Sequence, residues 1–211
     1  MSSQLVLPLE PRNAMSRADF IEAPGNARAI AFLDAWPDWR APAAALSGPS
    51  ASGKTHLAHI WAARSGAALA DARTLREPMA GAAVVENCDS VDSRDHEPAL
   101  FAMLERGAPL LLTGRAAPSA WQVSLPDLAS RFRALVAFDL GQADEALLMA
   151  LAVKLFADRQ VLVPEAVVIR LVQGLERSPA AIRDFIARAD QEALSRRKPI
   201  NIQLIQDLMM E

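Results

Sequence analysis

Eight residues constrain this chain more than any others: Gly48-Pro-Ser-Ala-Ser-Gly-Lys-Thr55. They spell G-x-x-x-x-G-K-[ST], a loop whose backbone cradles phosphate. Ahead of them, Ala43-Ala-Ala-Leu-Ser47 is a short run of small and apolar residues, as a buried strand requires. Behind them, Leu57, Ile60 and Trp61 recur at helical spacing. A strand before the loop and a helix after it supply the context that turns a pattern match into a site.

The residue types fit the chemistry. Gly48 and Gly53 let the backbone turn so that successive N–H groups face phosphate oxygens. Pro49, Ser50, Ala51 and Ser52 span the turn between them, and His56 carries it into the helix. The helix N-terminus favours the same anion. Lys54 can reach the β- and γ-phosphates, and the Thr55 hydroxyl can hold Mg²⁺. The expected ligand is ATP or ADP. Hydrolysis is a separate question.

At 211 residues and 52% hydrophobic content, the chain has room for one α/β domain and a small second one. A net charge of −3 argues against a strong independent grip on nucleic acid. The single cysteine, Cys88, excludes an internal disulfide and fits a reducing compartment. No apolar run reaches membrane-spanning length, and the first residues lack a charged-then-apolar signal pattern. The expectation is a cytoplasmic protein.

The opening Gln4-Leu-Val-Leu-Pro-Leu9 holds exposed-looking leucines in a tail that Pro8 and Pro11 keep out of helices and central strands. Such a cluster reads either as a docking peptide or as a segment packed on its own domain. Asn26 is a good N-cap for a helix that runs through Ile30 and Leu33 and stops at Pro37. The tryptophans of Trp36-Pro-Asp-Trp39 read as packing residues. Further strands are expected at 67–70, 82–85, 109–113 and 135–138, alternating with helices at 98–104 and 125–132. Alternation of this kind means a parallel sheet covered on both faces. From Gly141 onward only helices are expected: 144–158, 164–175, 179–194 and 202–210, with Leu147, Leu151 and Leu155 as one apolar stripe. The fold class is therefore α/β, a parallel P-loop sheet flanked by helices and followed by a small all-helical lid. The expected organisation is a tail over 1–13, a nucleotide-binding domain over 14–140 and a lid over 141–211.

At this point the chain resembles the AAA+ ATPases of the DnaA branch, and within it the short DnaA-related regulators of the Hda type. The resemblance runs from Gln4 to the C-terminus. Gln4-Leu-Val-Leu-Pro-Leu9 is similar to the family's motif for the DNA polymerase sliding clamp, which assigns Gln4, Leu5, Leu7, Pro8 and Leu9 to that partner. Phe20, Ile21 and Asn26 resemble the segment that packs near the adenine. Leu125-Pro-Asp-Leu-Ala-Ser-Arg-Phe132 resembles the segment carrying an arginine finger, here Arg131. Ser178-Pro-Ala-Ala-Ile-Arg-Asp184 resembles the start of the lid helix with its sensor arginine, here Arg183. What the resemblance implies is an activator of DnaA-bound ATP hydrolysis that docks on the clamp, with a homodimer also possible. An arginine finger contributes about 10³–10⁵ in rate where it has been measured.

Two positions depart from that pattern. The acidic pair expected on the Mg²⁺ strand is Glu86-Asn87. Glu86 can hold the metal alongside Thr55, but an amide at 87 takes no proton at neutral pH. Asp89 is the nearby carboxylate available as a substitute. After Thr113, Arg115 stands where an acid is common. Both changes weaken intrinsic hydrolysis and leave binding intact. Two other function classes remain open. A small-molecule P-loop kinase would need a substrate base and would turn over alone. A DnaA-like or loader-type ATPase at DNA would show salt-dependent DNA binding. His56 and His59 lack a third partner for a metal, and Arg196-Arg-Lys198 is too short a footprint for DNA.

Overall fold

The short, alanine-rich strand before the phosphate loop becomes the second-to-last strand in space, and that placement organises the molecule. The computed structural model describes residues 15–90 and 94–210. The clamp-motif residues Gln4, Leu5, Leu7, Pro8 and Leu9 lie outside them.

Five strands form one parallel sheet: β1 (Ala43–Ser47), β2 (Ala68–Asp71), β3 (Ala83–Glu86), β4 (Leu110–Thr113) and β5 (Val136–Asp139), in the order β2-β3-β4-β1-β5. The strands predicted from apolar runs are all present, displaced by about one residue. β1 and β4 are buried along their whole length, whereas the edge strands β2 and β5 are partly exposed. Burial on both faces explains why β1 reads as a continuous apolar run with no alternation.

The pleat nonetheless sorts its residues. Ala44 and Leu46 join Val84 and Leu111 under α1 (Ala27–Asp34) and α2 (Lys54–Ser65). Ala43 and Ala45 join Ala83, Val85, Leu110 and Leu112 under α3 (Glu97–Glu105) and α4 (Pro126–Ala134). Small residues on β1 let helices approach both faces closely. A third core lies wholly in α5 (Glu145–Ala157), α6 (Glu165–Gly174), α7 (Pro179–Ser195) and α8 (Ile202–Met210), centred on Leu148, Phe156, Leu171, Ile182 and Ile186. The buried stripe of α5 is Leu148, Leu151, Ala152 and Phe156, rotated from the expected 147/151/155 line. Leu147 faces the cleft between lid and sheet instead.

The tryptophans do pack: Trp39 stacks on Trp61 at 4.8 Å and on Phe32 at 4.4 Å. Cys88 is buried, its Sγ donating to the Val85 carbonyl at 3.2 Å, and burial pushes its thiol pKa up. Asn26 corrects an expectation. It occupies the N-cap position of α1 but makes no side-chain capping bond. Its Oδ1 accepts from Ala23 N at 2.9 Å and its Nδ2 donates to Ile21 O at 3.0 Å. The side chain thus staples the segment before the helix, the stronger option for a side chain only 5% exposed. Among the described residues, no helix is long and apolar enough to cross a membrane.

Candidate functional site

Parallel register lines up the carboxyl ends of the strands. Asp71 pairs with Glu86, Leu46 with Thr113 and Ser47 with Asp139, so a polar row crowns the sheet. The phosphate loop rises from β1 in this row, with β4 and β5 on either side. Ligands of such sheets bind at that crevice.

The loop takes a conformation few residues tolerate. Gly53 has φ +97°, and a Cβ there would stand 3.1 Å from the Phe20 ring. Glycine is required both for the dihedral and for the approach of Phe20. Ala51 holds φ +61° despite its Cβ, a strained backbone of the kind found at ligand sites. Ser50 is exposed at the tip, and Gly48 is buried at the root.

Lys54 folds back over this loop. Its Nζ donates to the carbonyls of Gly48 and Pro49, both at 2.7 Å, and to Ser52 Oγ at 3.4 Å. Burial lowers its pKa, opposed by the charges of Asp89, Glu86 and Asp139 and reinforced by that of Arg115. A cation desolvated this way gains most from an incoming anion.

Beside it, the Thr55 hydroxyl donates to Glu86 Oε1 at 2.6 Å. The two residues assigned to Mg²⁺ are therefore together. They fit a cation that takes its other ligands from phosphate and water, as Mg²⁺ does. Among the described residues no group of three or more His, Cys, Asp or Glu side chains gathers into a metal site of its own.

Asn87 turns away from this pair. At φ +58° its Nδ2 donates to Asp71 Oδ2 at 2.8 Å. Asp71 is gripped by Arg73 through side chain and backbone, which lowers its pKa to about 2. Asp89, the expected substitute base, is committed elsewhere. Its Oδ2 accepts from the backbone N–H groups of Arg115 at 2.6 Å and Ala116 at 3.3 Å. These bonds direct Asp89 Oδ2 at the turn that follows β4.

Two adjoining clefts meet at Ser52, Gly53, His56 and Arg183. One, of about 120 Å³, runs along Ala51, Lys54 and Thr55. The other, of about 40 Å³, is walled by Phe20, Ile21 and Asn26 from the N-terminal segment and by Leu147, Leu151 and Pro179 from the lid. His56 is buried against Phe20, rings edge to face at 5.0 Å, with Nε2 donating to Ser16 O at 3.0 Å. Burial lowers the His56 pKa, and the bond to the Ser16 carbonyl opposes that shift. Arg183 projects from α7, whose start is capped by Ser178 Oγ on Ala181 N at 3.1 Å. Among the described residues no ion pair joins Arg183 to Asp184. Burial lowers its pKa while Asp184 raises it.

Arg131 lies apart from these clefts. Leu128 and Phe132 of α4 are buried, while Arg131 is exposed and pairs with Glu105 at the end of α3. Sequence reasoning missed several participants. Asp71 carried one signal, an acid directly after an apolar run. Asp19 gave none: it lines the smaller cleft and pairs with Lys154 of the lid at 3.3 Å. Glu97, 1% exposed, anchors the segment leading into α4 by accepting from Ser124 N, Ser124 Oγ and Leu125 N.

No family model matches this sequence, and no curated protein does. Solved structures do match in shape. Domain III of the Thermotoga maritima replication initiation protein DnaA aligns with a TM-score of 0.75 at 16% identity, covering 93% of this chain and 95% of that one. AMPPCP-bound DnaA from Aquifex aeolicus gives 0.69 at 13% identity, covering 88% of this chain and 68% of that one. The Thermotoga maritima RuvB Holliday junction branch migration motor gives 0.70 at 18% identity, covering 93% and 71%. At such identities the likeness is one of fold. The chain has the architecture of the AAA+ domains of DnaA and RuvB, a five-stranded parallel sheet with flanking helices and a helical C-terminal region.

Proposed function

We propose that this chain is a nucleotide-bound regulator of replication initiation of the Hda type, one that controls a partner rather than turning over substrate. One observation carries the reading. A complete phosphate grip, Lys54 with the Thr55–Glu86 pair, adjoins a position where the base is replaced by Asn87 bonded to Asp71. Such a site binds ATP or ADP and hydrolyses slowly, because the residue beside Glu86 is an amide, which accepts no proton from water.

In this reading Phe20, Ile21, Asn26 and His56 hold the purine, the phosphate loop and Lys54 hold the phosphates, and Arg183 closes on them from the lid. Mg²⁺, when bound through Thr55 and Glu86, would neutralise charge on the phosphate oxygens. Gln4, Leu5, Leu7, Pro8 and Leu9 dock on the DNA polymerase sliding clamp, in the cytoplasm. Arg131 acts on the ATP of DnaA. The partner's approach displaces Glu105, which costs little because exposed ion pairs contribute about 0–1 kcal/mol.

The test is Arg131→Ala in the full chain with DnaA, the clamp and ATP. The variant is expected to bind nucleotide and clamp as the unaltered protein does, and to lose at least about 10²-fold in stimulation of DnaA-bound ATP hydrolysis. Full stimulation by the variant overturns the finger assignment. Rapid hydrolysis by the unaltered chain alone, with no effect on DnaA, overturns the regulatory reading in favour of an enzyme.

A further inference from the structure

Backbone strain in this chain gathers at two places. Among the described residues four non-glycine residues hold a positive φ. Ala51 and Asn87 stand at the candidate nucleotide site. Gln160, at φ +60°, and Arg197, at φ +51°, stand together in the lid, where both line one groove. Each closes a helix. Past α5, Gln160 N donates to Ala157 O at 2.8 Å and Val161 N to Phe156 O at 3.0 Å. Past α7, Arg197 N donates to Leu194 O at 3.1 Å and Lys198 N to Ala193 O at 3.0 Å. Glycine usually takes the left-handed position of such a turn, because it has no Cβ to crowd the carbonyl. A long polar side chain at both turns destabilises the fold, and strain of this kind collects where a surface has work to do.

The groove between the turns has a volume of about 1050 Å³, far above that of either cleft at the phosphate loop. Val161 and Ile200 reach it from the edge of the lid core, and Leu194 lines it with them. Leu194 is 78% exposed, and Leu162, next to Val161, is 91% exposed. Leaving both in water forgoes burial of a large apolar side chain twice over. Asp190, the carboxylate that lines the groove, is taken by Arg159 Nε at 2.5 Å. Arg197 and Lys198 are exposed and make no ion pair among the described residues. The groove therefore combines aliphatic surface with two cations that lack counter-ions.

We propose that this groove is a docking site for an acidic, leucine-bearing segment of a partner protein. The leucines cover Leu194 and Val161, and the carboxylates meet Arg197 and Lys198. The site is separate from the nucleotide clefts, and the inference does not rest on them. Complementary charge fixes the class of partner. Nucleic acid fits less well: no aromatic side chain lines the groove for a base to stack on, and two cations make a short electrostatic footprint. A leucine seated on an exposed leucine removes water from both, which supplies affinity that exposed ion pairs do not.

The experiment is fluorescence anisotropy on the full chain with a labelled peptide of alternating glutamate and leucine. Controls of the same length carry serine in place of leucine, or lysine in place of glutamate. Leu194→Ser is expected to weaken the glutamate–leucine peptide at least about tenfold, the scale of one buried leucine. Arg197→Gly combined with Lys198→Ser is expected to weaken it about tenfold, and to raise the urea midpoint because glycine suits the left-handed turn. Binding lost while the midpoint rises cannot come from unfolding. Affinities within twofold of the unaltered protein in both variants overturn the proposal, as does equal binding of either control peptide. Tighter binding of a single-stranded oligonucleotide, lost in the double variant, overturns it in favour of nucleic acid. A dimer of the unaltered chain that Leu194→Ser dissociates overturns it in favour of a second copy. Absence of binding by the unaltered protein to the glutamate–leucine peptide overturns it outright.

Discussion

Asn87 and Asp71 face each other across the ends of β3 and β2, amide to carboxylate at 2.8 Å. The residue after Glu86 is therefore tied to the sheet edge, and its partner is a carboxylate already saturated by Arg73. Neither can take a proton from water at neutral pH.

Restoring a carboxylate there should restore turnover. Asn87→Asp places an acid beside Asp71, and two close carboxylates raise the pKa of one of them, which suits a base. Aspartate also tolerates the left-handed backbone at 87 better than glutamate does. Phosphate release by the protein alone is expected to rise at least about tenfold, since positioned bases contribute about 10²–10⁴. No change would mean that the missing base does not limit hydrolysis.

Lys54→Ala should separate binding from folding. The ammonium is held by two loop carbonyls that can turn to water once it is gone. Thermal unfolding of the unliganded variant is expected to stay near that of the unaltered protein. ADP at a hundredfold excess over its Kd should stabilise the unaltered protein by about 2.7 kcal/mol and the variant not at all. Equal stabilisation of both would move the phosphate site elsewhere.

Glu97 should matter far more than its distance from the clefts suggests. Its buried carboxylate accepts bonds from Ser124 and Leu125 and pairs with Arg94 at 3.2 Å. Burial works to raise its pKa, yet these donors hold it below the usual range. Glu97→Ala orphans two backbone N–H groups at the entry to α4. A loss of about 3 kcal/mol is expected in urea unfolding. A loss under about 1 kcal/mol would show that the segment carrying Arg131 is anchored by something else.

Acid should weaken the fold through Asp71. Its pKa lies at about 2 when folded, against an ordinary 3.8. Between those values the unfolded chain binds more protons, so stability rises with pH. The contribution is complete above about pH 4 and is lost as pH falls toward 2. The urea midpoint of the unaltered protein is expected to exceed that of Asp71→Asn at pH 5, with the gap closing by pH 2. A constant gap across that range would show that Asp71 does not stabilise as a charge.

Much of this was legible in the chain. The phosphate loop, the strands before and after it and the four lid helices all follow from local patterns. Gly53 needs its left-handed backbone and Pro179 opens α7, requirements contained within a few neighbouring residues. Where local chemistry offered two outcomes, the pattern misled. Asn26 can cap a helix or bond to the preceding backbone, and burial under the Ile21 segment selects the second. Asp89 can serve as a base or brace a turn, and the end of β4 at its side selects the brace.

The sequence by itself determined where the glycine-rich loop lies between its strand and helix and that a helical region follows, because glycine dihedrals, helix periods and apolar runs are set by near neighbours. Tertiary structure alone decided that β1 lies between β4 and β5, that Asn87 meets Asp71, and that the Arg115 carbonyl accepts from Gly48 N. Those pairs are separated by 16 to 92 residues of chain, and only the packing of helices on both sheet faces brings them together.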